Sequence, residues 1–264
     1  MMKQQWQAIK AEFLKNRHSR ITWVTFLAFS LAPIFGGVFM FLMKDNGSEG
    51  LSGAFKAKAV VMSFEANWNS YLGLLSQAVG VGGVLIFGFV AGWLFGREYS
   101  DGTAKDLLSL PISRAKILNA KFIYYLIWCI SLVLSNLLLG LFIGFSLDLP
   151  GWDYVMFSNN IEVYFITTIM IILLNTPIAF FAIYGKGFMA PLGIVAILLV
   201  LAQIIGALGF GNYFPWAVPG IYSGSGGADL KAGLNIFSYL TIVITSILGY
   251  FSTILWWKYS DQIK

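Results

Sequence analysis

The chain has 264 residues, of which 58% are apolar and only 11% charged, with a mean hydropathy of +0.76. Soluble domains carry about 25% charged residues, so a water-soluble globule is excluded and most of the surface must face lipid. A net charge of +5 with no basic patch set in a soluble fold excludes a nucleic-acid partner, and a single cysteine, Cys129, excludes an internal disulfide.

In chain order, the first segment is KQQWQAIKAEFLKNR. It places Trp6, Ile9, Phe13 and Leu14 on one helical face with Lys3, Lys10, Lys15 and Arg17 around it. Such a helix lies in the headgroup layer with its aromatic side down, or serves as a plain basic anchor. His18 at the same boundary reads as a solvated neighbour of the headgroups.

Six runs are then long and apolar enough to cross a bilayer, at residues 21–43, 71–96, 121–147, 163–184, 188–210 and 236–257. The first lacks the short core and cleavage site of a signal peptide and is expected to be retained. Apart from Lys121 at an edge, no span contains an ionisable Asp, Glu, Lys, Arg or His. With no repeat and no long linker, residues 1–264 read as one all-α polytopic membrane domain.

The first outer loop, 44–70, has room for a short surface helix. In the second span Gly88, Gly92 and Gly96 recur every four residues, a spacing that lets another helix backbone approach closely, from this chain or from a second copy. Asn175-Thr176-Pro177 predicts a kink in the fourth span, because proline removes a backbone donor. Gly185-Lys186-Gly187 makes a tight turn before the fifth. The last outer loop, GNYFPWAVPGIYSGSGGAD, predicts broken helical turns that dip into the outer leaflet. Gln77, Asn136, Asn175, Thr176 and Gln203 are uncharged polar residues within spans, and they either line a central path or hydrogen-bond between helices.

Basic residues set the orientation, since Lys and Arg stay on the cytoplasmic side. With the N-terminus inside, the outer loops keep only Lys44, Lys56, Lys58 and Lys231 of the 17 basic residues, so both termini are expected in the cytoplasm.

Between the second and third spans stands EYSDGTAKDLLSLPISRAKI, residues 98–117. Asp101-Gly102 is a turn pair, and Thr103 can cap a short helix through Leu107, Leu108 and Leu110. Pro111 ends that helix, and Ser113 can cap the next one. Leucines on a polar cytoplasmic loop lie against the span ends or enter a groove on a partner protein.

The pattern Glu98, Gly102-Thr103, Leu107-Leu108-Ser109-Leu110-Pro111-Ile112-Ser113-Arg114 and Lys121 is similar to the signature between the second and third spans of ABC-2 type transporter permeases. The six-span layout, the amphipathic start and the proline-broken last loop resemble that family as well. One departure is Ala104-Lys105, where many members have a more apolar residue followed by an acidic or polar one.

The resemblance implies a membrane subunit of an ATP-driven exporter in a bacterial plasma membrane. It implies a cytoplasmic coupling helix that docks on a separate ATPase subunit, present in two copies, and a second permease chain, identical or homologous. Glu98, Gly102, Thr103, Leu107, Leu108, Pro111 and Arg114 would then transmit the ATPase's motion. ATP and Mg would be bound by the partner ATPase, with no cofactor in this chain.

What the sequence lacks agrees with this. No G-x-x-x-x-G-K-[ST] phosphate loop occurs. No nucleophile with a base and no pair of metal-binding side chains stands at membrane depth, so neither a catalytic residue nor a metal site is expected. Two other readings stay open: an ion-coupled secondary transporter, which the absence of buried ionisable residues disfavours, and a structural or signalling membrane partner. A pathway lined by apolar and aromatic groups suits an amphipathic or lipid-like cargo.

Overall fold

The computed structural model describes residues 2–17, 19–44, 65–104 and 112–259. The expected surface helix in the first outer loop, His18, and the leucine-bearing helix with Leu107, Leu108 and Pro111 lie outside the described residues. Among the described residues every regular element is helical.

Helix α1, Met2–Asn16, precedes α2, Arg20–Lys44, the first span. The second and third spans are α3, Trp68–Ser100, and α4, Arg114–Ser146. At 33 residues each they run to about 50 Å, against a hydrocarbon core of about 30 Å, so both project well beyond the apolar layer. The fourth span is α5, Tyr154–Leu174, continued by α6, Thr176–Tyr184, and the fifth is α7, Met189–Ala207. A 3-10 turn at Gly211–Tyr213 and two short helices, α8 Val218–Tyr222 and α9 Ala228–Ala232, lead to the last span, α10, Ile236–Tyr259. All six expected spans are present as apolar helices, and each overlaps its predicted run.

Helix α3 is the hub, packing against α2, α4, α5, α6, α7 and α8. Its small residues explain how. A β-carbon on Gly88 would lie 2.6 Å from Val195 Cγ2, and one on Gly92 would lie 3.1 Å from the Pro191 ring. On Gly96 it would lie 2.6 Å from the backbone of Gly187. The neighbour that the glycine spacing calls for is therefore the turn and first half of α7 in the same chain.

The break in the fourth span falls at Asn175, the shared cap of α5 and α6. Pro177 cannot donate to the Leu173 carbonyl, and the Thr176 hydroxyl stands 2.8 Å from that oxygen in its place. The same hydroxyl is 3.0 Å from the Ser246 carbonyl of α10. There Gly249 admits the kink, because a β-carbon on it would sit 2.5 Å from Pro177 N.

In the last outer loop α9 lies at the surface, but α8 does not. Val218, Pro219, Gly220 and Ile221 are buried, and α8 packs on α3 and α5. Pro219 O would be 3.1 Å from a β-carbon on Gly80, which lies about 18 Å along α3 from its first residue, so the loop reaches into the bundle.

Because Gly96 faces backbone that cannot rotate away, Gly96→Leu overpacks the hub and should lower stability by about 1–3 kcal/mol or more. Gly73→Leu, with nothing within 4 Å of the added carbon, should leave stability close to wild type. Thermal unfolding in detergent compares the two.

Candidate functional site

At the end of the bundle carrying α1 and the last turn of α10, the residues around the signature form a buried ion cluster. The α3 helix ends with Arg97 and Glu98 on its last turn. The second turn of α4 supplies Lys121, and α1 supplies Glu12, Lys15 and Asn16 at helical spacings. Glu98, Lys121 and Glu12 are 4%, 2% and 3% exposed, and Asn16 is fully buried.

The Lys121 ammonium donates to Glu98 Oε1 at 3.1 Å, to Glu12 Oε2 at 3.3 Å and to the Leu94 carbonyl at 3.2 Å. This uses its three protons. Lys15 donates to the same Glu98 oxygen at 2.9 Å and stands 3.5 Å from Glu12. The Thr103 hydroxyl donates to Glu98 Oε2 at 2.7 Å. Arg97 Nη1 donates to Asn16 Oδ1 at 2.6 Å, and its Nε is 3.9 Å from Glu98 Oε1. Two carboxylates thus face three cations, a balance that lets the group leave water.

The turn that follows is built as expected. Asp101 N donates to the Arg97 carbonyl at 2.8 Å and Gly102 N to Tyr99 at 3.2 Å, with Gly102 at φ +71°, where a side chain would be strained. The Thr103 hydroxyl gives its proton backward to Glu98, and the helix it is expected to cap lies outside the described residues. One capping expectation needs correction: Ser113 stands at the cap of α4 but makes no side-chain cap bond; its backbone carbonyl accepts from Lys116 N at 2.9 Å.

On the far side of the loop, Arg114 Nη1 donates to the carbonyls of Trp257 and Lys258, 3.3 Å each. A cation there complements the carbonyl end of α10. Lys116 Nζ donates to Gln4 Oε1 at 2.7 Å, and Gln5 Nε2 to the Lys116 carbonyl at 3.3 Å. Both flanks of the 105–111 segment are therefore fastened to the first and last helices of the chain.

Of the expected coupling residues, Glu98, Gly102, Thr103 and Arg114 gather here. Glu12, Lys15 and Asn16 were not singled out for this site, and the reading of Lys15 as part of a basic surround is corrected. A signal was present: Glu12 is the only acidic residue before Asp45, and Ala8, Glu12 and Asn16 follow at four-residue steps, the face that packs inward.

The polar span residues do not form one group. Asn136 Nδ2 donates to the Phe29 carbonyl at 2.7 Å and its Oδ1 accepts from Tyr164 at 3.1 Å, joining α2, α4 and α5. Asn175 Nδ2 donates to the Ile171 carbonyl at 3.0 Å. Its Oδ1 has no hydrogen-bond partner and faces Gly88. Gln203 lines a cavity of about 250 Å³ between α3, α7 and α8 with Gly80, Val84, Trp216 and Ser225. Gln77 is half-buried on α3, with Nε2 3.8 Å from a β-carbon placed on Gly224 in the turn after α8.

Removing one partner from a buried ion pair costs about 3–5 kcal/mol, because the other charge is left uncompensated. Lys121→Met, which leaves Glu12 and Glu98 sharing Lys15, should therefore lower the unfolding temperature sharply. Adding Glu12→Gln to that variant should recover part of the loss, and a double-mutant cycle measures the recovery.

A family model described as ABC-2 family transporter protein matches residues 8–203. The chain is also similar to the bacitracin transport permease protein BCRB of Bacillus licheniformis, 27% identical over 179 residues that cover 68% of this chain and 85% of that protein. Residues 8–203, matched by the family model, include the ion cluster, both flanks of the loop and the glycine-lined face of α3. With the family's model spanning well over half of its length, the chain belongs to the ABC-2 family of transporter proteins, and it is a membrane permease subunit of an ABC exporter.

Proposed function

We propose that the segment from Glu98 to Lys121 is the lever through which a separate ATPase drives this permease. The observation that carries the reading is the buried cluster of Glu98, Lys121, Glu12 and Lys15. A push on the 105–111 segment reaches α3 through Gly102 and Thr103, α1 and α4 through the cluster, and α10 through Arg114. Helices α1, α3 and α4 then move as a unit, because sliding any one would strand a buried charge, and α10 follows through the Arg114 hydrogen bonds.

Leu107, Leu108 and Pro111 form the docking surface in this reading, and the ATPase binds ATP and Mg. Two permease chains and two ATPase copies make the working exporter. The end carrying the ion cluster faces the cytoplasm of a bacterial cell, as the distribution of basic residues supports. Residues 1–264 act as one membrane domain.

Gln77 and Gln203, near the cavity and the tucked-in loop, line the cargo's path, while Asn136 and Asn175 support its walls. An apolar and aromatic path suits an amphipathic cargo. The likeness to a bacitracin transport permease makes bacitracin the first cargo to test.

Leu107→Asp combined with Leu108→Asp should leave membrane insertion intact while the ATPase no longer co-purifies and cargo-stimulated ATP hydrolysis is lost. Full ATPase association and export in that double variant would overturn the docking assignment. ATP turnover that never responds to cargo would point to a structural membrane partner.

A further inference from the structure

Among the described residues the outward side of α1 is largely uncovered, with only the Phe13 ring meeting Tyr124 edge-on at 6.2 Å. With Ala8, Glu12 and Asn16 turned inward, Trp6, Phe13 and Leu14 are 69%, 53% and 54% exposed. The described exposed ionised side chains on α1 and the turn into α2 are all cations: Lys10, Lys15, Arg17 and Arg20. Glu12, the single carboxylate of this stretch, is spent inside the cluster. An exposed face that offers only aromatic, aliphatic and cationic groups is complementary to an anionic, amphipathic surface.

Its depth follows from the chain. Arg20 opens α2, and the exposed Trp23 stands in the first turn of that span. Since α1 ends at Asn16, just before this entry point, its outward face lies at headgroup level. We infer that α1 is a binding element for anionic phospholipid. Headgroups pair with Lys10, Arg17 and Arg20 while Trp6, Phe13 and Leu14 enter the acyl boundary.

The consequence reaches the ion cluster. Lys15 stands at the border, its side chain 34% exposed yet 2.9 Å from the buried Glu98 carboxylate. A helix held down by lipid on one face presses Glu12 onto Lys121 and Lys15 onto Glu98 with the other. An anionic membrane surface thereby stiffens the cluster. The inference rests on the geometry of this chain alone, so its failure would leave the coupling reading standing.

The test titrates purified full-length chain in mild detergent with phosphatidylglycerol or phosphatidylcholine mixed micelles and reads the melting temperature. Phosphatidylglycerol should raise it beyond the phosphatidylcholine response, and high salt should weaken the difference. Each basic residue near an anionic surface strengthens binding about fivefold, so Lys10→Gln, Arg17→Gln and Arg20→Gln together should move the phosphatidylglycerol midpoint on the order of 100-fold higher.

The phosphatidylcholine response should persist in that variant. Lys231→Gln on α9, at the opposite end, should keep the wild-type midpoint, as should the charge-preserving set Lys10→Arg, Arg17→Lys and Arg20→Lys. Equal responses to the two lipids, an unchanged midpoint in the neutral variant, or a lost response in the charge-preserving one would overturn the inference. So would an equal shift from soluble glycerol phosphate, which would mark a phosphate site instead of a membrane surface.

Discussion

The structure turns on one carboxylate that has left water. Glu98 ends the central helix α3 at 4% exposure, and a lone ion in that position would cost several kcal/mol. Lys121, Lys15 and Thr103 offset this with contacts of 3.1, 2.9 and 2.7 Å, each from a different segment of the chain. Satisfying Glu98 therefore fixes where α4 starts and how α1 lies. It also fixes how the turn at Gly102 folds back.

Once Glu12 and Asn16 must face Lys121 and Arg97, the helical period leaves Trp6, Phe13 and Leu14 no direction but outward. The same electrostatic demand that assembles the helix ends also makes the amphipathic surface of α1. Arg114 extends the assembly to α10 through the carbonyls of Trp257 and Lys258. Helices of 33 residues, about 50 Å against a hydrocarbon core of about 30 Å, are long enough to hold this group outside the apolar layer.

Within the membrane the binding principle changes from charge to closeness. Lipid tails are as apolar as the side chains, so helices hold together through packing and hydrogen bonds. Gly88, Gly92 and Gly96 admit α7, and Gly249 admits the Pro177 break. Asn136 and Tyr164 link three spans with two short hydrogen bonds. The unpaired Asn175 Oδ1 against Gly88 marks where close approach, not a polar partner, shapes the contact.

Much of this was legible in the residue order. Six apolar runs, the turn at Asp101-Gly102, the tight turn at Gly185-Lys186-Gly187 and the kink at Pro177 rest on local chemistry, namely hydropathy, a missing donor and glycine's freedom. Glu98, Thr103 and Arg114 were legible by resemblance. Their contacts were not: Glu12 and Lys121 are 109 positions apart, and no spacing rule connects a residue on α1 to one on α4. The inward tuck of Val218 to Ile221 likewise depended on the small Gly80 lying opposite, which aromatic and proline composition could not reveal.

By itself the sequence determined that this chain carries six helices apolar and long enough to cross a membrane and that a turn at Asp101-Gly102 closes the second. Those properties depend only on each segment's own apolar length and backbone preferences. Only the tertiary structure decided which charges share a site, because a buried charge is satisfied by whichever partners the packed helices bring within about 3 Å, however far apart they stand in the chain.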